Sequence, residues 1–488
     1  MAEAGIRRES PFSSSEEDKR PQRKAYVEIG AVVLLAFFGY YAKMEMDPSQ
    51  QDIAYSVLGF VFLIMILKNV VYGLVAIVVA IGLSPDGVAG LPNMRLEDFM
   101  LPPLVIIWWL KRSAKGVPLV ETEFMSAIKM YMLIAAISTL LGILRETVWP
   151  SYHWLIFYTK YAEYFVFAWF VLNSVKAKED VILLLFATFM TCSVVAYISW
   201  TGRLEAIGEN VDRFVRATGP EGETPNVLGG YYMMHIMMAF ALLFAVKNYV
   251  YKLIILAFLF GVVLPLLYTY SRTSFSSMFL GLFVTSLFID LRFVFVLVIL
   301  LALSPILMPK KNFVKEDVVE RYSEIFQIFD DEDGAPSSWK ARTVGWYIFY
   351  TRTWNHDPIF GKGVGSIGLG IDSSYVKKFI ESGILGLLAF AVLLIRIGRI
   401  GLYVAKVSKD SFYRAIGVGY MGVYAGMLVH AIGVSSFSTI RTAELFWLLT
   451  AITVGVSLIV KEENELEKED EEDLDQLSFT SPFAASKV

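Results

Sequence analysis

The chain has 488 residues, of which 56% are hydrophobic and 15% aromatic, and its formal net charge is −4. Apolar runs recurring from residue 25 to residue 460 exclude a water-soluble domain, and nothing in the charge pattern points to nucleic acid. The single cysteine, Cys192, lies inside an apolar run, which excludes a disulfide framework or a thiolate metal site.

Residues 1–24 form a polar tail carrying Arg7, Arg8, Lys19, Arg20, Arg23 and Lys24. It is too polar for a cleavable signal peptide, so the first helix is expected to be a retained anchor. Apolar runs then follow near 25–42, 52–67, 69–83, 96–110, 122–143, 155–175, 179–199, 226–246, 249–270, 273–289, 291–308, 376–396, 412–434 and 442–460. Each is long enough, or nearly so, to cross a hydrocarbon core about 30 Å thick as a helix. Only helices satisfy their backbone hydrogen bonds in lipid without closing a barrel. The expected fold is an all-α polytopic membrane protein with about 12–14 transmembrane helices, the lower count applying if the short second and third runs form a re-entrant pair. No internal repeat is visible, which disfavours transporters built from two homologous halves.

Orientation follows from Lys and Arg in short loops. The basic tail holds the N-terminus in the cytoplasm, and every second connection is basic: Lys68; Lys111, Arg112 and Lys115; Lys176 and Lys178; Lys247 and Lys252; Arg292; and Arg396 through Arg414. Both termini are therefore expected in the cytoplasm. The chain divides into a disordered tail (1–24), a transmembrane segment with short exoplasmic loops (25–308), a large exoplasmic loop (309–375), C-terminal transmembrane helices (376–460) and an acidic cytoplasmic tail (461–488).

Against this topology five arginines fall on the exoplasmic face, where basic residues are scarce: Arg145, Arg203, Arg213, Arg216 and Arg272. Arginine presents a rigid fork that engages two phosphate oxygens at once. Arg145 and Arg272 lie at helix ends near the interface, where they are placed to grip a diphosphate whose lipid tail stays in the bilayer. Arg216 and Arg213 are further candidates; Arg203 and Arg213 sit in a longer polar loop, where a solvated charge costs little. Three basic residues on the unfavoured side, each beside a helix end, predict that Arg145, Arg216 and Arg272 converge on one exoplasmic cavity between the membrane helices and the 309–375 loop.

The 309–375 loop contains two segments with apolar residues at helical spacing, 318–329 and 339–354, separated by the turn-rich stretch 329–338. They read as two helices lying on the membrane surface. DPIFGKGVGSIGLG (357–370) follows, with five glycines that let the backbone bend tightly or approach a ligand closely.

This return carries a resemblance. The stretch from Arg342 to Leu387, with Trp346, HDPIFGKGVGS (356–366) and DSSYVKKFIESGILGLL (372–388), resembles the O-antigen ligase and polymerase family of bacterial envelope glycosyltransferases. RATGPEGETPNVLGGYY (216–232) is similar to that family's Arg/Gly/Pro-Asn segment, and YSRTSFSSMFLGL (270–282) to its Ser-Arg segment. The resemblance implies a GT-C-like architecture in the bacterial inner membrane, an exoplasmic (periplasmic) active site, an undecaprenyl-diphosphate-linked glycan as donor, and a glycan or lipid-core acceptor. Ligases of the family carry a His followed by Asn, Ser or Gln, nine residues, Gly, two residues and Gly; here Asp372, Ser373, Gly383 and Gly386 fill that frame. Asp in place of His leans the reading from ligase toward polymerase.

A glycan on a diphosphate already has a good leaving group, so the enzyme must stabilise charge developing on the diphosphate and help an acceptor hydroxyl lose its proton. Arg272, with Arg145, Arg216 and Arg213, is the candidate for the first task and Asp372 for the second. Asp372 is equally placed to be the N-cap of the helix starting near Ser373. Trp346, Tyr350, Arg342 and His356 are candidate glycan contacts, although aromatic residues also anchor amphipathic helices at the interface. No cofactor and no metal are expected. The metal-dependent alternative would use Glu45 and Asp47, or the run Asp330, Asp331, Glu332 and Asp333, which otherwise reads as a solvated turn. His235 and His430, inside apolar helices, read as buried hydrogen-bonding residues. The reading from another class is a lipid-linked oligosaccharide flippase.

Overall fold

A computed structural model describes residues 46–84 apart from Asn69, 95–148, 153–208, 216–220, 224–295, 337–368 and 371–480. The predicted run 25–42, most of 291–308 and the loop segment 318–329 lie outside these residues, as do Arg213, Glu45 and the acidic run 330–333. Thirteen helices are labelled here: α1 (Pro48–Lys68), α2 (Val70–Leu83), α3 (Leu96–Ala114), α4 (Glu123–Leu144), α5 (His153–Ser174), α6 (Lys178–Gly208), α7 (Pro225–Ala245), α8 (Tyr249–Tyr268), α9 (Arg272–Ile289), α10 (Ser337–His356), α11 (Ser374–Val407), α12 (Ser411–Gly433) and α13 (Ile440–Thr480). Among the described residues no strand occurs, and nine helices are long and apolar enough to cross a membrane. The protein is a multi-pass, all-α membrane protein.

Helix starts follow local chemistry. Thr122 accepts a hydrogen bond from Met125 N, Ser271 from Ser274 N, and Asp410 from Phe412 N and Tyr413 N, each side chain satisfying amides that an α-helix leaves unpaired at its first turn. Pro225 opens α7, where its missing N–H costs nothing. Helices α7 and α13 are innermost, with 83% and 89% of their apolar windows buried, whereas α8 has 17% and turns its side chains outward. Around α7, small residues bring α9 and α12 together: a Cβ added at Gly422 would lie 2.0 Å from Thr285 Oγ1 and 2.9 Å from the Gly281 carbonyl.

The feature that positions the site is a break in α11. At Gly383 the backbone leaves the helix, with φ 64°. The groups freed there are taken up by the glycine segment: the amides of Lys362 and Gly363 donate to the carbonyls of Ile380 and Glu381 at 2.8 and 2.9 Å, and the amides of Ile384 and Leu385 donate to Pro358 and Ile359 at 2.8 and 3.2 Å. A break in a membrane-protein helix persists only when its freed polar groups are satisfied in this way. The segment is pinned from the other side by α4, since Thr147 Oγ1 donates to the Lys362 carbonyl and Val364 N to Thr139 Oγ1.

An alanine at 383 would carry its Cβ 2.2 Å from the Ile359 carbonyl oxygen, in a left-handed conformation. Gly383→Ala is therefore expected to cost about 1–2 kcal/mol for the conformation alone, with the clash in addition, and to lower the melting temperature in detergent. Gly202→Ala, whose added Cβ meets nothing within 4 Å, should not. Equal melting of the two variants would contradict the docking of the segment.

Candidate functional site

Contacts between helix ends show that one end of the bundle gathers most of the residues singled out above. Arg145 is the C-cap residue of α4, and Thr147 touches the glycine segment. That segment docks on α11, Ser374 of α11 donates to the Val434 carbonyl just after α12, and His430 of α12 meets Ser274 in the first turn of α9.

On one side of the α11 break lies a group of cations. Arg145 forms an ion pair with Asp357 at 2.6 Å while its side chain remains 45% exposed. Lys362 sits beside the same carboxylate and near Arg352. Partial burial, and then repulsion from Arg352, hold the Lys362 ammonium below the usual lysine range, with Asp357 opposing the shift. Arg145 and Lys362, from the end of α4 and the glycine segment, thus lie at one carboxylate, with Arg352 of α10 close to Lys362. Only Arg145 of these was legible beforehand; Arg352 lies within the predicted amphipathic segment and Lys362 among the glycines.

Beneath this surface the first half of α11 buries further charge. Lys377 and Lys378 are 1% and 2% exposed and Glu381 is fully enclosed. Glu381 accepts from Tyr161 OH at 2.7 Å and from the Gly365 amide at 3.2 Å. The Lys378 ammonium lies 3.4 Å from the centre of the Tyr161 ring, and that of Lys377 lies 5.2 Å from the Phe157 ring. Among the described residues Lys377 Nζ has no hydrogen-bond partner. The signal for this interior was present as two consecutive lysines in an apolar run, with Glu381 at helical spacing from both.

Asp372 stands at the mouth of this end. It does not cap α11: Ser373 occupies the N-cap position without a side-chain cap bond, and the Asp372 carboxylate, 57% exposed, instead pairs with Arg342 at 3.0 Å. The N-cap expectation fails because the helix begins one residue later and α10 supplies an arginine. The segment around Asp372 meets the start of α9 through the end of α12. Ser435 Oγ donates to the Ile371 carbonyl, and a Cβ at Gly433 would touch Thr273, the neighbour of Arg272. Arg272 and Asp372 are thus carried by segments that share one junction. Arg216 donates to the Thr269 carbonyl at 2.8 Å and approaches Asn226 Oδ1 at 3.4 Å, bracing the turn before Arg272. The arginines therefore occupy two edges, Arg145 with the glycine segment and Arg216 with Arg272 beside α12.

The remaining candidates fall into place by burial. Trp346 packs inward with Ile371, Phe379 and Ile380, which makes it part of the α10–α11 contact. Tyr350 and Trp354 are exposed and stack against Phe379, with ring centres 4.9 and 6.3 Å away. His356 is exposed at the end of α10 and Asp47 is exposed before α1. His235 and His430 are buried; His235 hydrogen-bonds to the Tyr231 carbonyl, and His430 to Ser274 and Ser436. Arg203 is not a solvated loop charge, because α6 runs on to Gly208 and the guanidinium lies 3.7 Å from the centre of the Tyr268 ring, 6% exposed. No protein-family model matches the chain, and no curated protein is significantly similar to it.

A depressed lysine that gains an anion is pulled back toward its ordinary range, so binding takes up a proton. Inorganic pyrophosphate is expected to bind this end of the protein, with an affinity that falls as pH rises from the lowered pKa of Lys362 toward 10.5. Titration calorimetry at several pH values should show the fall beginning below the usual lysine range. Lys362→Gln should flatten that part of the profile and leave weaker binding; an unchanged profile would remove Lys362 from the site.

Proposed function

We propose that the protein is a glycosyltransferase of the O-antigen polymerase/ligase type, acting on the exoplasmic face of a bacterial inner membrane. It moves a glycan from undecaprenyl diphosphate to an acceptor hydroxyl, and polymerisation, with another lipid-linked unit as acceptor, is the favoured form. The observation that carries this reading is the concentration of cations at one end of the bundle: Arg145 and Lys362 lie at Asp357 beside the broken helix, with Arg352 close to Lys362, and Arg272 lies on a segment joined to that of Asp372. An anionic headgroup with its tail in lipid suits such an end, and the leaving diphosphate gains from preorganised donors as charge develops on it.

In this mechanism the diphosphate lies between the Arg145 edge and the Arg272 edge, with Arg216 holding the turn that presents Arg272. Asp372 is the general base. Its exposure lets a bulky acceptor approach, and Arg342 orients the carboxylate. Glu381 is unsuited to that role, because both oxygens accept hydrogen bonds and no acceptor can reach it. Tyr350 and Trp354 offer exposed aromatic faces to sugar rings.

A break in a membrane helix with buried lysines beside it also suits a lipid-linked oligosaccharide transporter. Purified protein incubated in detergent with a glycan on undecaprenyl diphosphate separates these readings. Longer chains are expected for a polymerase and transfer to a second acceptor for a ligase, while absence of any transfer, with lipid translocation in proteoliposomes, would favour the transporter.

Two substitutions test the assigned roles. Asp372→Asn should slow transfer by about 10²–10⁴-fold with little change in melting temperature, because the exposed pair with Arg342 contributes at most about 1 kcal/mol. Full activity in that variant would remove Asp372 as the base. Arg272→Lys should keep fold and expression yet lose most activity, since lysine retains the charge without the two-pronged geometry. A fully active Arg272→Lys beside an inactive Arg272→Ala would show that charge alone matters.

A further inference from the structure

A second group of buried charge lies apart from the cations, where α3, α5 and α13 meet. Carboxylate oxygens of Asp98, Glu163 and Glu444 all lie within 4.8 Å of one another. A fourth acid, Glu97, is 2% exposed and lines a small cavity together with Glu163, Glu444, Tyr164, Leu101 and Phe167. Among the described residues, two basic side chains pair with these acids. Lys160 reaches Asp98 Oδ1 and Glu163 Oε2, and Arg95 Nε lies 3.2 Å from Glu97 Oε1. Among the described residues, four carboxylates against these two cations leave a formal excess of two negative charges, a costly arrangement inside a membrane protein without a further counter-charge.

Asp98 Oδ2 also accepts from the Arg95 amide, and the unpartnered oxygens belong to two side chains that line the cavity. Glu97 Oε2 and Glu444 Oε2 are buried and, among the described residues, have no hydrogen-bond partner, and both side chains line the cavity. Its volume is about 10 Å³, room for roughly one water-sized particle.

We propose that Asp98, Glu163 and Glu444 bind one divalent cation, with Glu97 completing the charge balance, and that calcium is taken in preference to magnesium. Hard carboxylate oxygens are ligands for such ions. Magnesium keeps several of its waters, for which this cavity has no room, whereas calcium accepts an irregular shell made largely of carboxylates. The ion staples the starts of α3 and α13 to the middle of α5, where Glu163 lies two residues beyond Tyr161 and its bond to Glu381. Its role is structural, and the proposal stands independently of glycosyl transfer.

The test uses the full-length protein in detergent after treatment with a chelator. Metal analysis after re-equilibration with calcium chloride, and melting followed by tryptophan fluorescence with calcium, magnesium or neither, are the two readouts. The expected result is close to one calcium per chain and a melting temperature several degrees higher with calcium than with magnesium. Glu444→Gln and Glu163→Gln should each weaken calcium binding at least about tenfold, while Glu467→Gln, an exposed acid paired with Lys409, should not. No bound calcium and no calcium-dependent shift in the unsubstituted protein would overturn the proposal whatever the variants do. Stabilisation by acidification alone would show that the excess charge is neutralised by protons instead.

Discussion

The break in α11 depends on a backbone exchange with the segment 358–363, and the rest of the arginine-bearing end depends on that exchange. A membrane helix cannot interrupt its hydrogen-bond ladder unless other groups take over the freed amides and carbonyls. Here two amides of the segment enter above the break and two of its carbonyls receive the amides below it. The geometry needs glycine at 383, and it needs positive φ at Gly361, Gly363 and Gly365 for the segment to follow the helix so closely. Because the segment is held at both edges, by α4 and by α11, the charged residues at its ends are held too: Asp357 against Arg145, and Lys362 beside them.

Electrostatics then divides this end into regions of opposite character. Around the glycine segment cations outnumber acids, and two more lysines are buried beneath, partly offset by Glu381 and by aromatic rings. Between α3, α5 and α13 the acids outnumber the cations among the described residues. Tyr161 and Tyr164, one helical turn apart on α5, face these two regions, Tyr161 toward Glu381 and Tyr164 lining the acidic cavity. The two tyrosines of α5 thus stand between buried charge of opposite character.

Much of the fold was legible because hydropathy is a long-range signal: the runs from 122 to 289 and from 376 to 460 match helices to within a few residues at most boundaries. Where the match failed, local contacts overrode composition. Helix α6 continues to Gly208 because Arg203 finds the Tyr268 ring, so a charge that reads as solvated supports a longer helix. Asp372 has the sequence context of a cap and the structure of an ion-pair partner, since Arg342 comes from another helix. The arginines at helix ends were visible one by one and expected to converge, yet their division between two edges was not legible, because it depends on how α9, α11 and α12 meet. The acidic group was hidden most completely: Asp98, Glu163 and Glu444 belong to three helices separated by 65 and 281 positions in the chain, and no spacing rule connects them.

The cations around Asp357 are, as proposed, the place that receives a lipid diphosphate. The most direct measurement is native mass spectrometry of the purified protein with undecaprenyl diphosphate, in competition with a neutral polyprenol of equal length. Retention of the diphosphate lipid in preference to the polyprenol, lost in Arg145→Glu and weakened in Arg352→Glu, is the predicted result. Equal retention of the two lipids, or undiminished diphosphate binding in both variants, would contradict it.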